Sequence, residues 1–279
     1  MSATTPSTWL VTGATSGFGR LVAERALALG AHVIAVGRRR DRLAELADSA
    51  PKGLVTTLEL DVTAPDAQEV LAEVVRLAGG LDVLVNNAGY GLFGSVEQIG
   101  ADEARALFDT NVLANLAVLR AALPALRASR GRILQTSSLI GQFAWPASGL
   151  YAASKGAVEL ISEALAHELA PTGVKVTLIE PGTFATEFFG SVRVVEPNDV
   201  YLPTVGKFLE DVSALPPEAV GDPEAVADAI MAVAALEEPP LRLAVGADAI
   251  ESIRASLRSR LAELDRWESF PRVPVGEGV

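Results

Sequence analysis

The sequence predicts an α/β fold in which one seven-stranded parallel sheet is doubly wound, with helices on both faces. Three observations predict it. Short apolar runs of strand length alternate with longer stretches of helical period along most of the chain. The glycine-rich and polar clusters fall just past the ends of those runs, where an open parallel sheet presents its ligand groups. No linker divides the 279 residues, a length that one sizeable core fills, so residues 1–279 are expected to form a single domain.

Trp9 to Thr12 is a short apolar run and reads as a buried strand. It runs into Gly13-Ala-Thr-Ser-Gly-Phe-Gly19 and then a helical pattern through Leu29. A glycine-rich turn between strand and helix lets a pyrophosphate approach the backbone and meet the free N–H groups of the helix start. The spacing is Gly-x3-Gly-x-Gly, which differs from the commoner G-x-G-x-x-G. His32 to Val36 is the second strand, and Gly37-Arg38-Arg39-Arg40 follows it. A carboxylate at that strand end would bind a ribose 2′-hydroxyl, whereas arginines suit a 2′-phosphate. NADP(H) is therefore expected over NAD(H), although the same arginines also suit the solvated first turn of a helix.

Asp41 to Ala50 is a helix and Leu54 to Leu60 a third strand, ending at Asp61-Val62. Asp61 is either a loop carboxylate or an adenine contact. Thr63-x-x-Asp66 reads as a capping box opening the next helix. Leu81 to Val85 is the fourth strand, ending in Asn86-Asn87-Ala88-Gly89, whose small residues permit close backbone approach and whose asparagines can stitch strands together. Ala101 to Ala128 reads as one long helix. Asn111 inside it is either a polar residue at a kink or a functional side chain that holds a water. Arg132 to Thr136 and Val174 to Ile179 are further strands, with the helix Leu150 to Leu169 between them. Residues 183–221 show no periodicity but carry Phe184, Phe188, Phe189, Tyr201 and Phe208, which points to a substrate-covering loop. Asp222-Pro223 opens a helix to Leu236, and Leu241 to Val245 is the seventh strand. Residues 246–279 form a C-terminal helical extension. Its stripe Ile250, Ile253, Leu257, Leu261 and Leu264 is expected to be buried on the core or on a neighbouring subunit.

Composition excludes several function classes. A net charge of −12 argues against a nucleic-acid partner, which requires a basic face. With no cysteine and two histidines, His32 and His167, a thiolate nucleophile is excluded and a metal site is not expected. The N-terminus lacks the pattern of a signal peptide, and no apolar run reaches the roughly 18 residues of a membrane span, so a cytoplasmic enzyme with no membrane contact is expected.

The chemistry centres on Tyr151 and Lys155. Four residues on a helix is about one turn, so the phenol and the ammonium share a face. An ammonium close to a phenol favours phenolate and is expected to lower the tyrosine pKa, giving a general acid/base. Ser138, thirteen residues earlier, can offer a hydroxyl to the same substrate oxygen.

Thr12-Gly13-x3-Gly17-x-Gly19, Asn86-Asn87-Ala88-Gly89, Asn111, Ser138, Tyr151-x3-Lys155 and Pro181-Gly182 occur in the order and spacing of one family. Over residues 8–245 the chain resembles the classical short-chain dehydrogenases/reductases, in particular larger members with an extra C-terminal helix that act on steroids, retinoids and other lipophilic carbonyls. The resemblance implies a Rossmann-like fold and an NADP(H)-dependent oxidoreductase of carbonyls and secondary alcohols, assembled as a homodimer or homotetramer. It implies Tyr151 as proton donor or acceptor, Lys155 on the nicotinamide ribose, Ser138 rather than Ser137 on the substrate oxygen, and Asn111 as anchor of a relay water. Gly13, Ser16, Gly17, Phe18 and Gly19 would cradle the pyrophosphate. Asp61 and Val62 would contact adenine, Asn87, Ala88 and Gly89 the adenine-side ribose, and Pro181, Gly182, Phe184 and Thr186 the carboxamide. Two positions depart from the family: Ser16 stands where many NADP-using members carry a basic residue, and Phe184 where valine is frequent. Phe93, Phe143, Trp145, Phe188 and Phe189 are either an aromatic substrate lining or ordinary core. A non-catalytic cofactor sensor on the same fold, and a nucleotide-sugar epimerase of the extended type, are the competing readings.

Overall fold

The computed structural model describes residues 7–185, 192–216 and 219–270. The seven expected strands all form. They are β1 (Thr8–Thr12), β2 (His32–Gly37), β3 (Val55–Glu59), β4 (Val83–Asn86), β6 (Arg132–Thr136), β7 (Lys175–Pro181) and β9 (Arg242–Val245), joined in the order β3-β2-β1-β4-β6-β7-β9. Every pairing is parallel. Two further strands of two residues each, β5 (Leu92–Phe93) and β8 (Arg193–Val194), pair with each other outside this sheet. The chain reverses direction across the sheet between β1 and β4, which opens a crevice at their C-terminal ends.

The central strands β1, β2 and β4 are mostly apolar because both faces are covered, whereas the edge strand β3 exposes Thr56, Thr57 and Glu59. Successive side chains alternate between two cores. Trp9, Val11, Val33, Ala35, Val83 and Val85 pack with α1 (Gly17–Ala28) and α8 (Pro223–Ala234). Leu10, Ile34, Leu84 and Ile133 face α3 (Ala67–Leu77) and α5 (Asn115–Ser129). Between the sheet elements lie α2 (Arg40–Ser49), α4 (Ala101–Phe108) and α6 (Gly149–Leu169).

The expected long helix from Ala101 is interrupted by a π-turn, Asp109–Ala114, which holds Asn111. The whole stretch Ala101–Ser129 is long and apolar enough, by length and composition alone, to cross a bilayer. Half of its most apolar window is buried, as in a core helix. The capping box expected at Thr63 does not form. The Asp61 carboxylate takes both the Thr63 N–H (3.0 Å) and its hydroxyl (2.8 Å), and the helix starts only at Ala67.

Residues 183–221 have more structure than their lack of period suggested. They hold β8, a π-turn at Leu202–Gly206 and α7 (Lys207–Ser213). Their ends are tied together, since Gly221 N–H donates to Thr183 O (2.9 Å) and Ala185 N–H to Gly221 O (3.0 Å). The last helix, α9 (Ala247–Trp267), does not bury its stripe on the core. Ile250, Leu257, Leu261 and Leu264 are 43%, 52%, 58% and 67% exposed, because only the first turns of α9 rest on the sheet edge and on the turn after β6.

Candidate active site

The crevice between β1 and β4 is bounded by the two glycine-bearing segments. Gly13 and Gly17 both have positive φ (68° and 51°), so side chains there would be strained. Ser16 stands at the N-cap of α1 but makes no capping bond, which leaves the helix start open to an anion. Asn87 stitches the edge together as expected. Its Nδ2 donates to Thr12 O (3.2 Å), its N–H to Thr12 Oγ1 (2.9 Å), and its Oδ1 accepts from Thr136 Oγ1 (3.1 Å).

One continuous cavity of about 1850 Å³ runs from this turn past Tyr151 to residues 192–213. Gly13, Ser16, Gly17, Phe18, Arg38, Arg39, Asp61, Val62, Asn87, Ala88, Gly89, Ser138, Tyr151, Lys155, Pro181, Gly182 and Phe184 all line it. Gly19 does not. A Cβ there would lie 2.4 Å from Gly13 O and 2.7 Å from Asn87 Nδ2, so its work is to let α1 pack against the strand ends. Thr186 lies outside the described residues.

Beyond β2, Arg39 donates through Nε and Nη2 to Thr15 Oγ1, both at 3.3 Å. Arg38 is 76% exposed on its side chain and sits 3.7 Å from Asp61. Burial alone would raise the Asp61 carboxyl, but Thr63 and Arg38 together hold it below its usual value. Asp61 is thus first of all a loop carboxylate that organises its own turn.

Ser138, Tyr151 and Lys155 converge at the middle of the cavity. The Ser138 hydroxyl is hydrogen-bonded to the Tyr151 phenol and also accepts from Ile140 N–H (3.4 Å). Ser137 also lines the cavity. Its Oγ is buried without a partner among the described residues and lies 2.8 Å from where a Cβ on Gly141 would be. Lys155 is buried, donates from Nζ to Thr136 O (2.7 Å), and lies 5.9 Å from the Tyr151 ring centroid. Burial lowers its pKa to about 8, with Glu159 opposing. The expected depression of the phenol does not occur. Burial pushes Tyr151 up, and the Ser138 hydrogen bond only partly offsets it, so near neutral pH the tyrosine holds its proton.

Asn111 is one layer behind the cavity wall. Its Nδ2 donates to Tyr90 O (3.0 Å) and Ser154 Oγ (3.1 Å), and its Oδ1 accepts from Tyr90 N–H (3.0 Å). The side chain therefore anchors the backbone that follows Gly89. A Cβ on Gly89 would come 3.0 Å from Asn111 Oδ1 and 3.7 Å from Lys155 Nζ, so a glycine keeps these groups close.

On the substrate side, Phe93 lies 5.6 Å from the Tyr151 ring, and Trp145 lies 5.9 Å from Phe208 of α7. Phe143 does not line the cavity. It packs behind Trp145 at 5.1 Å and belongs to the core cluster around Leu139 and Ile140. Phe188 and Phe189 lie outside the described residues. Tyr90, Leu202 and Asp248 line the cavity without having been anticipated. Tyr90 had a signal, since it follows the Asn86–Gly89 run directly. Asp248 had none: its carboxylate accepts from Thr183 N–H (2.7 Å) and anchors the chain after β7 from the start of α9. Among the described residues no cluster of His, Cys, Asp or Glu could hold a metal ion.

A profile described as short chain dehydrogenase matches residues 7–196, more than half of the chain. The chain belongs to the short-chain dehydrogenase family. It is 34% identical over 245 residues to a 3-ketodihydrosphingosine reductase of Bacteroides thetaiotaomicron, covering 86% of this chain and 88% of that one. A short-chain dehydrogenase from Streptomyces avermitilis shares its structure with a TM-score of 0.88 at 40% identity, covering 96% of this chain and 97% of that one. A short-chain dehydrogenase from Burkholderia cenocepacia, solved in complex with NADP, matches with a TM-score of 0.73 at 28% identity, over 94% and 97% of the two chains. The protein is thus an oxidoreductase of this family, with a nicotinamide cofactor and a small-molecule substrate.

Proposed function

We propose that this short-chain dehydrogenase is an NADP(H)-dependent reductase of a bulky, apolar ketone or aldehyde, running in reverse on the corresponding alcohol. The observation that carries the proposal is the Ser138–Tyr151–Lys155 cluster, with Tyr151 and Lys155 buried, midway along a cavity that joins the glycine turn to an apolar chamber. Gly13 to Phe18, Asn87 to Gly89 and Pro181 to Phe184 would hold the cofactor, which supplies the hydride to the carbonyl carbon. Ser138 donates to the substrate oxygen and orients it. Tyr151, kept protonated by burial, gives its proton to that oxygen as negative charge develops. Lys155, still an ammonium below about pH 8, sits beside the phenol it would help to reprotonate.

Arg38 and Arg39 support NADP over NAD, and so does the NADP bound by the Burkholderia relative. The apolar chamber formed by Phe93, Trp145, Leu202 and Phe208 supports a lipophilic substrate, and the name of the Bacteroides relative agrees with a long-chain ketone. A cytoplasmic homo-oligomer is part of the same proposal. A sensor without turnover is disfavoured by the retention of Ser138, Tyr151 and Lys155 together. Tyr151→Phe tests the proposal: it is expected to lower kcat by about 10²–10⁴-fold while NADPH binding stays close to wild type. Turnover within a few-fold of wild type would refute it.

A further inference from the structure

Behind the reacting groups lie two carboxylic acids that the proposed chemistry does not use. Glu159 on α6 and Glu180 near the end of β7 are each 3% exposed. Their side chains converge on the same two donors, while Glu159 Oε1 is buried with no partner among the described residues. Both accept from Gln142 Nε2, Glu180 Oε1 at 2.7 Å and Glu159 Oε2 at 3.3 Å. Arg242 on β9 reaches them from the sheet edge: its Nε lies 2.8 Å from Glu159 Oε2 and 3.8 Å from Glu180 Oε1, and its Nη2 lies 2.6 Å from Glu163.

Each member is joined to a segment of the site. Gln142 closes the turn Leu139–Gly141 that Ser138 opens. Glu159 is one helical turn beyond Lys155 and two beyond Tyr151. Glu180 directly precedes Pro181-Gly182. The turn comes so near that a Cβ on Gly141 would lie 3.0 Å from Glu159 Cγ.

We propose that the Glu159–Glu180 pair is a positioning element that locks the Ser138 turn, the Tyr151–Lys155 helix and the Pro181–Gly182 strand end into one block. The inference rests on reading Ser138, Tyr151 and Lys155 as the reacting groups. Two buried carboxyls can converge on Gln142 without repelling each other only while one of them keeps its proton, so the lock depends on pH. Burial first, and then the charge of Glu159, push the Glu180 carboxyl up, while Gln142 and Arg242 oppose the shift. The charged groups facing the pair are Lys155 and Glu163 on α6 and Arg242 on β9; His167 stands further along α6 and acts on Glu163. Once Glu180 ionises, two buried anions face each other and Gln142 is left to bridge a repulsive pair.

The sign follows from linkage. A carboxyl raised in the folded state stabilises at low pH, and that contribution is lost as pH rises through the raised value. Glu180→Gln keeps the shape and the contacts with no proton to lose, and Glu180→Ala removes them. The full-length wild type and both variants are compared from pH 6 to 9, by melting temperature and by kcat and KM for NADPH with the ketone that wild type reduces fastest. Glu180→Gln is expected to keep kcat within about threefold of wild type at pH 6 and to exceed it at pH 9, with its melting temperature rising relative to wild type over the same range. Glu180→Ala is expected to lose about tenfold in kcat or more, with KM for NADPH little changed. Superposable wild-type and Glu180→Gln profiles, or a wild-type kcat in Glu180→Ala, would overturn the proposal. A wild type that reduces no ketone would instead refute the reductase reading, and the melting temperatures would still decide whether the pair titrates as described.

Discussion

Gly19 offers a direct test of how the nucleotide turn is built. A methyl group placed there would meet Gly13 O at 2.4 Å, Asn87 Nδ2 at 2.7 Å and Gly13 C at 2.9 Å. Ordinary contacts begin near 3.5 Å, so α1 would have to retreat by about 1 Å from the strand ends. Overpacking of this kind costs about 1–3 kcal/mol, against which alanine gains up to about 1 kcal/mol in helix propensity over glycine. With the full offset the net loss is at most about 2 kcal/mol, which corresponds to a melting temperature lower by up to about 6 °C for a chain of this size. The retreat also carries the helix start away from Gly13, where an anion would meet the free N–H groups. Gly19→Ala should therefore weaken NADPH binding by about tenfold, equivalent to about 1.4 kcal/mol. Fluorescence titration and thermal melts read both quantities. A variant that melts and binds NADPH as wild type does would refute the packing role assigned to Gly19.

Two further outcomes are expected. Carbonyl reduction should decline as pH rises through about 8, because burial lowers Lys155 to that value and the ammonium beside Tyr151 is lost above it; a rate that is flat from pH 7 to 9 would contradict this. The Arg38→Ala/Arg39→Ala double variant should lose about 10–100-fold in kcat/KM with NADPH, since hydrogen bonds to charged groups are worth about 1.5–3 kcal/mol. Its kcat/KM with NADH should hardly change, and an equal loss with both cofactors would remove the 2′-phosphate assignment.

The sheet was legible because a strand covered on both faces is apolar at every position, and Trp9 to Thr12 or His32 to Val36 admit little else. Residues that act through the local chain were also readable, as in the Asn87 stitch and the one-turn spacing of Tyr151 and Lys155. What was lost depended on packing between distant segments. Gly19 looked like one more cradle glycine, but its role is set by Gly13 and Asn87. Phe143 and Trp145 are two residues apart and chemically alike, yet only the second faces the cavity. Thr63 had the spacing of a helix cap, and Asp61 took its hydroxyl instead. The phenol was expected to be lowered by its ammonium neighbour, whereas burial governs both groups. The Glu159–Glu180 pair did leave a trace: a glutamate stands inside the otherwise apolar end of β7, and another one turn past Lys155.

The π-turn at Asp109–Ala114 has a rotational consequence. In an unbroken α-helix Leu107 and Val118 would lie almost in line, about three turns apart. Here Leu107 is buried on the Tyr151 side and Val118 under the sheet. One inserted residue turns everything beyond it by about 100°, so the segment sets the phase between two faces of a single rod. Deleting one residue there would leave the helix content almost unchanged while Asn111 swung away from the Tyr90 backbone. The wall of the cavity is thus timed by the count of residues in this turn as much as by their identity.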